Sequence, residues 1–203
     1  IATKGVLMKK LIGIIAILTI IFIYGCSKQP SSIKAKQDGK PLIVMYGDFK
    51  CPYCKKVEDK VMPKLRNKYI DKNKVKFQYV NLAFIGKDSI IGSRAQQAVN
   101  HYAPKYSLQF QKLMFEHQKD EDKKWITHTL IDKQIDKLNI SNKTKDKIKA
   151  NYKTKNSTSW KAAEKDKKLG KEHHIKQTPT VFIEGKKVKD PYDFSSYQKL
   201  LEE

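Results

Sequence analysis

The chain has 203 residues, 31% charged and 39% hydrophobic, enough apolar material for one compact domain with a tail, which excludes disorder throughout and two full-sized domains. Forty-two basic residues against 21 acidic ones leave a formal charge of +21, a surface that attracts polyanions. Three cysteines are too few for a disulfide-stapled scaffold, and they divide into Cys26, at the end of an apolar run, and a Cys51-Pro52-Tyr53-Cys54 pair.

Met8-Lys9-Lys10 precedes an apolar stretch from Leu11 to Tyr24, the charged and hydrophobic regions of a secretory signal in that order. Residues 1–7 then read as upstream of the true start, and 1–25 as signal peptide. Leu11 to Ile23 counts thirteen residues, short of the ~20 a spanning helix needs. Ser27 to Lys40 is polar, with Ser, Gln, Pro, Gly and Lys, and cannot bury enough surface to offset its chain entropy, so 26–40 reads as a flexible tether.

Pro41 to Tyr46 (P-L-I-V-M-Y) is a short apolar run ending at Gly47-Asp48, the pattern of a buried strand. After Cys54, Val57, Val61, Met62, Leu65, Tyr69 and Ile70 recur at helical spacing, with Pro63 as an expected kink. The cysteines therefore open a helix. Unpaired backbone N–H groups and the positive end of the helix dipole face Cys51, which lowers the thiol's pKa, and Pro52 is tolerated at the first helical position. Cys51 is the attacking sulfur; Cys54, one turn on and less exposed, resolves it. Lys50, Lys55 and Lys56 are expected to add positive potential from the surface.

Two other readings of the pair compete, half of a zinc site and an inert staple. A structural zinc needs four ligands, and His101, His117, His128, His173 and His174 have no finger-like spacing, so no metal is expected. The helix start argues against the staple. Asp48 reads first as a turn or capping residue and second as a relay for the Cys54 proton.

Val75 to Leu82 alternates as a second, half-buried strand. Residues 88–170 are helical in pattern. Ile91, Ala95, Ala98, Val99 and Tyr102 form one stripe; Ile126, Leu130, Ile131, Ile135 and Leu138 form another; Ile148 and Tyr152 begin a third. Lys143 to Lys155 is a lysine-rich solvated face. A nucleic-acid role is excluded because Arg66 and Arg94 are the only arginines and the chain reads as exported. Thr178-Pro179-Thr180-Val181-Phe182-Ile183-Glu184-Gly185 opens a Pro-led strand, a Gly turn and another strand, and Asp193 caps a last helix whose apolar side is Phe194, Tyr197, Leu200 and Leu201.

Ile23-Tyr24-Gly25-Cys26 resembles a bacterial lipobox, which implies a diacylglyceryl thioether on Cys26 and an extracytoplasmic chain anchored to the outer face of the cell membrane; ordinary cleavage near Gly25 is the alternative. The Cys51-Pro52-Tyr53-Cys54 helix start and the Thr178-Pro179 strand start together resemble the thioredoxin superfamily. Their separation, filled by a helical segment, resembles its DsbA branch, and with the lipobox the DsbA-type lipoproteins of Gram-positive bacteria. The resemblance implies an α/β thioredoxin fold over 41–203 with a large helical insertion at about 86–172. It implies Cys51 as nucleophile, Cys54 as resolving cysteine, Pro179 held cis, and Thr178 pairing with a substrate backbone beside Pro52 and Tyr53. Tyr53 stands where the best-known members have His, which implies a less extreme oxidant. The implied activity is introduction of disulfides into reduced or unfolded exported proteins, by a monomer without cofactor; a membrane quinone-linked partner is a common reoxidant in the family, and some Gram-positive members work without one. A reductase or isomerase and a non-enzymatic surface binding lipoprotein remain as alternatives.

Overall fold

The structure, a computed structural model, describes residues 33–203. The signal segment, Cys26 and the first part of the tether lie outside the described residues. The end of the tether differs from expectation: Lys36–Gln37 (β1) turns at Asp38-Gly39 and pairs antiparallel with the start of Lys40–Gly47 (β2). Asp38 and Gly39 both adopt positive φ, which lets a two-residue turn close the hairpin despite the polar sequence.

β2 is the central strand. It pairs in parallel with β3 (Lys76–Asn81) and antiparallel with β4 (Thr180–Ile183), which carries β5 (Lys186–Lys187) on its other edge. From Leu42 on, every β2 side chain is buried. Ile43 and Met45 face a large core that includes both cysteines, while Leu42, Val44 and Tyr46 face a smaller one on the opposite side, as strand alternation requires. The parallel pairing needs a crossover, and α1 (Pro52–Lys60) and α2 (Met62–Leu65) supply it. Pro63 has no N–H to give the Asp59 carbonyl, so the expected kink is a break at Val61, followed by a wide π turn at Arg66–Ile70.

The insertion comprises α3 (Ser89–Tyr102), a short turn of helix at Pro104–Tyr106, α4 (Ser107–Glu116), α5 (His128–Asp136), α6 (Asn142–Lys153) and α7 (Thr158–Glu172); α8 (Phe194–Glu202) closes the chain. In the stripes, Ala95, Ala98, Val99, Ile126, Ile131, Ile135, Leu138, Ile148 and Tyr152 are buried, and Ile91, Tyr102 and Leu130 pack at the margin. Side-chain caps from Thr127, Ser141, Ser157 and Asp193 start α5, α6, α7 and α8. Phe49, just before the cysteines, locks the insertion to the sheet, with its ring 5.5 Å from Tyr79, 5.2 Å from Phe115 and 6.5 Å from Phe110. Below it, buried Glu58 takes hydrogen bonds from Arg66 (2.9 Å) and Gln111 (2.8 Å), tying α1 to α4.

Candidate active site

Strand direction gathers the site. The carboxyl ends of the parallel β2 and β3 lie beside the amino end of the antiparallel β4, so the Cys51 loop, the segment after β3 and Thr178-Pro179 meet at one edge. Cys51 is the N-cap of α1: its Sγ accepts the Cys54 N–H at 3.3 Å, and its carbonyl accepts the N–H groups of Cys54 (3.1 Å) and Lys55 (3.2 Å). Across from it the Thr178-Pro179 bond is cis, and Cys51 Sγ lies 3.5 Å from the Thr178 carbonyl oxygen. Both cysteines are free thiols; Cys51 is 3% exposed and Cys54 fully buried. Tyr53, at 59%, stands out in solvent beside them.

The two thiols are electrostatically opposite. Cys51 is lowered from 9.0 to about 7: the neighbouring Cys54 thiol contributes most, against the opposing effect of burial, with further help from the Thr178 side chain and the N–H groups of Cys54 and Tyr53. Burial pushes Cys54 well above its ordinary value, and the Cys51 sulfur adds to the rise. A thiol lowered toward neutrality, with a protonated thiol one turn behind it, is poised for exchange.

Asp48 is saturated. Its Oδ1 accepts from Lys50 N–H and Ser89 O–H (2.9 Å each), and its Oδ2 from Phe84 N–H (2.8 Å) and Ile85 N–H (3.0 Å). Among the described residues no hydrogen bond joins this carboxylate to either sulfur. It anchors the turn and pins the segment after β3 to the cysteine loop, and the relay reading gains nothing from the geometry.

Lys50 departs from expectation. It is 2% exposed, with its ammonium 3.0 Å from Asp88 Oδ1 and 2.8 Å from the Lys123 carbonyl. Asp88 Oδ2 also takes the N–H groups of Trp125 (3.0 Å) and Ile126 (2.9 Å). Burial raises the Asp88 carboxyl, but those amides and Lys50 together hold it below the usual carboxylate range. Gln118, in the same 117–126 loop, donates to the carbonyls of Phe49 (2.6 Å) and Cys51 (3.0 Å). Sequence reasoning missed both clasps: Gln118 sits in a strongly polar run, and Lys50, though flanked by Phe49 and Cys51, is a charged residue whose burying partner Asp88 lies 38 residues away.

Two clefts flank Cys51. One of 390 Å³ is lined by Tyr53, Thr178, Pro179, Lys187, Lys189 and Tyr192 among others; the other, of 960 Å³, lies over Pro52 beneath residues 118–125. A third cavity, of 530 Å³, is on the opposite face of the sheet, lined by Tyr46, Gln97, Asp166 and His173, and takes no part in the thiol site. Among the described residues no cluster of His, Cys, Asp and Glu is arranged to hold a metal.

An asymmetric dithiol at a helix start, facing a cis-proline turn, defines a thiol–disulfide exchange centre of the thioredoxin type. The family model described as Thioredoxin matches residues 33–203. The chain is 32% identical over 181 residues to disulfide bond formation protein D of Bacillus subtilis, covering 87% of this chain and 79% of that one. A Bacillus cereus protein described as probable disulfide bond formation protein D is 31% identical over 171 residues, 82% and 75% of the two chains. The crystal structure of oxidised BdbD from Bacillus subtilis superposes with a TM-score of 0.72 at 30% identity, covering 86% of this chain and 94% of that one. The oxidoreductase NmDsbA1 from N. meningitidis shares the fold, with a TM-score of 0.62 at 21% identity over 85% of each chain. The chain belongs to the thioredoxin family, and within it to the DsbA-type thiol–disulfide oxidoreductases.

Proposed function

We propose that the protein introduces disulfide bonds into exported proteins from the outer face of the cell membrane, held there by a lipid on Cys26. The observation that carries the exchange chemistry is the contrast between Cys51, at about 7, and Cys54, held protonated by burial. In the oxidising cycle a client thiolate attacks Cys51 Sγ of the Cys51–Cys54 disulfide. The S–S bond breaks, and Cys54 leaves and takes up a proton. A second client thiolate then attacks the client sulfur of the mixed disulfide, and Cys51 departs as a thiolate. Two client thiols are oxidised and the Cys51–Cys54 pair is reduced by two electrons. The relatives named for disulfide bond formation favour this direction. A membrane quinone-linked partner then restores the disulfide.

A reductase or isomerase is the second reading, favoured by the position of Cys51 at about 7, where thioredoxin itself lies. The deciding experiment incubates the oxidised protein with a reduced, denatured disulfide-requiring client and follows its reactivation, alongside the Cys51–Cys54 equilibrium against glutathione. Reactivation with a potential more oxidising than the glutathione pool is expected, whereas a strongly reducing potential would transfer the assignment to the reductase. Cys54→Ala is expected to trap clients on Cys51 in oxidising cells. Cys26→Ala is expected to release the protein to the medium or leave its signal uncut; a fully processed variant still on the membrane would refute the lipid anchor.

A further inference from the structure

We infer that the cleft beside Thr178 and Pro179 selects client segments carrying acidic side chains on one side of the reacting cysteine. This rests on the exchange reading of the Cys51 site and names the clients it takes best.

The two clefts at Cys51 differ in charge. The one over Pro52 is balanced, with Asp120, Glu121 and Asp122 facing Lys119, Lys123 and Lys124. The one beside the cis-proline has Lys187 and Lys189 in its lining and no carboxylate. Both lysines are exposed. Their neighbour Lys186 is matched by Glu203 at 3.1 Å, whereas among the described residues neither Lys187 nor Lys189 has a carboxylate within ion-pair distance. Asp190, next in the chain, has its Oδ1 engaged by the Tyr192 N–H at 2.8 Å. At the rim, the Lys56 ammonium sits 4.5 Å from the centre of the Tyr192 ring, a third cation on the same side. An extended segment running past Cys51 through this cleft thus meets positive charge on one flank and a neutral balance on the other. Tyr53 and Tyr192 add apolar surface for its backbone and side chains.

Lysines on a terminal strand also guard a sheet edge against pairing, and a chain of +21 attracts any acidic peptide. The inference differs from both in requiring a one-sided effect specific to these two lysines. Two exposed charge pairs of middling strength imply about a three- to tenfold rate difference, lost at high ionic strength.

The test uses the full oxidised protein and short single-cysteine peptides in a Gly-Ser background, either neutral or with aspartates on the amino or the carboxyl side of the cysteine. The rate of attack on the Cys51–Cys54 disulfide is read from mixed-disulfide formation. Aspartates on one side are expected to speed attack about three- to tenfold over the neutral peptide. A Lys187→Gln/Lys189→Gln variant should remove the advantage, bringing the aspartate and neutral peptides to the same rate as each other whatever that rate is. A Lys143→Gln/Lys147→Gln variant, which removes the same charge from the exposed face of α6, should preserve it. Equal acceleration from either side, an equal loss in the α6 variant, or no acceleration at all would overturn the inference and leave the exchange reading standing. If no peptide, neutral included, reacts faster than glutathione does, both fall.

Discussion

The lowered Cys51 thiol has an internal cause that mutation can isolate. Its fall from 9.0 to about 7 is two pKa units, about 2.7 kcal/mol of preference for the thiolate. Helix-start amides account for part of it, but the largest contribution is the Cys54 thiol itself. Cys54→Ala removes that donor and keeps the helix; Cys54→Ser keeps a donor of similar reach. Taking a hydrogen bond to a charged group as ~1.5–3 kcal/mol, the alanine variant is expected to raise Cys51 by about one unit or more, and the serine variant by about half a unit or less. The assay is the pH dependence of alkylation at Cys51, resolved from Cys26 by peptide mass. An alanine variant titrating at the wild-type pH would show that the amides alone hold the thiolate. A serine variant rising as far as alanine would show that the donor is immaterial. Either result would refute the assignment.

The remaining predictions concern buried charges and the cysteine loop. Asp166, on the far face of the sheet, is pushed from 3.8 up to about 7 mainly by burial, while hydrogen bonds from Gln97 (2.6 Å) and the Asn81 N–H (3.3 Å) oppose the rise. Because its folded pKa is raised, the folded state holds a proton that the unfolded chain releases between 3.8 and about 7, so stability falls as pH rises through that window. Asp166→Asn keeps the acceptor for both donors and is expected to match wild type near the lower limit. Above the upper limit it should be more stable by up to about 4 kcal/mol, read from urea midpoints; identical midpoints there would contradict the burial argument. Lys50→Met leaves Asp88 buried without its cation and is expected to cost about 3–5 kcal/mol, against about 1 kcal/mol or less for Lys55→Met on the surface, in the same urea measurement. Gln118→Ala frees two carbonyls at the cysteine loop and is expected to cost about 1–3 kcal/mol in thermal or urea unfolding. Gly47→Ala would place a Cβ 2.6 Å from Tyr79 Cε2 and is expected to destabilise by about 1–3 kcal/mol through overpacking, detected as a lower melting temperature.

What could be read from the sequence was what is local. The buried strand before Gly47, the helix opening at Pro52, the Asp193 cap and the apolar stripes of the insertion depend on neighbours within a turn or two, and hydropathy reports such neighbours directly. The cysteine pair and Thr178-Pro179 were legible as motifs, and the fold brings them into contact. The β1 hairpin was not legible: Lys36–Gln37 carries no apolar pattern, and backbone pairing with Lys40-Pro41 alone defines it. Lys50 was misplaced for the opposite reason. Its burial is decided by Asp88 and by the Lys123 carbonyl, partners far along the chain that leave no mark on its own neighbourhood.

These distant partners show what the insertion contributes. The segment from Asp48 to Cys51 has few hydrogen bonds of its own: Asp48 O accepts the Cys51 N–H at 3.0 Å, and Lys50 N–H returns to the Asp48 side chain. Beyond the bonds Cys51 makes with α1 and Thr178, further restraints come from Phe84, Ile85 and Ser89 on Asp48, Asp88 on Lys50, and Gln118 on the carbonyls of Phe49 and Cys51. Each lies at the entrance to the insertion or in the loop between α4 and α5. The insertion therefore holds the reacting sulfur in place as well as covering it. Removing two carbonyl bonds or a buried cation there acts on the backbone that aims Cys51 at Thr178, whereas changes on the lysine-rich outer face of α6 touch none of these bonds.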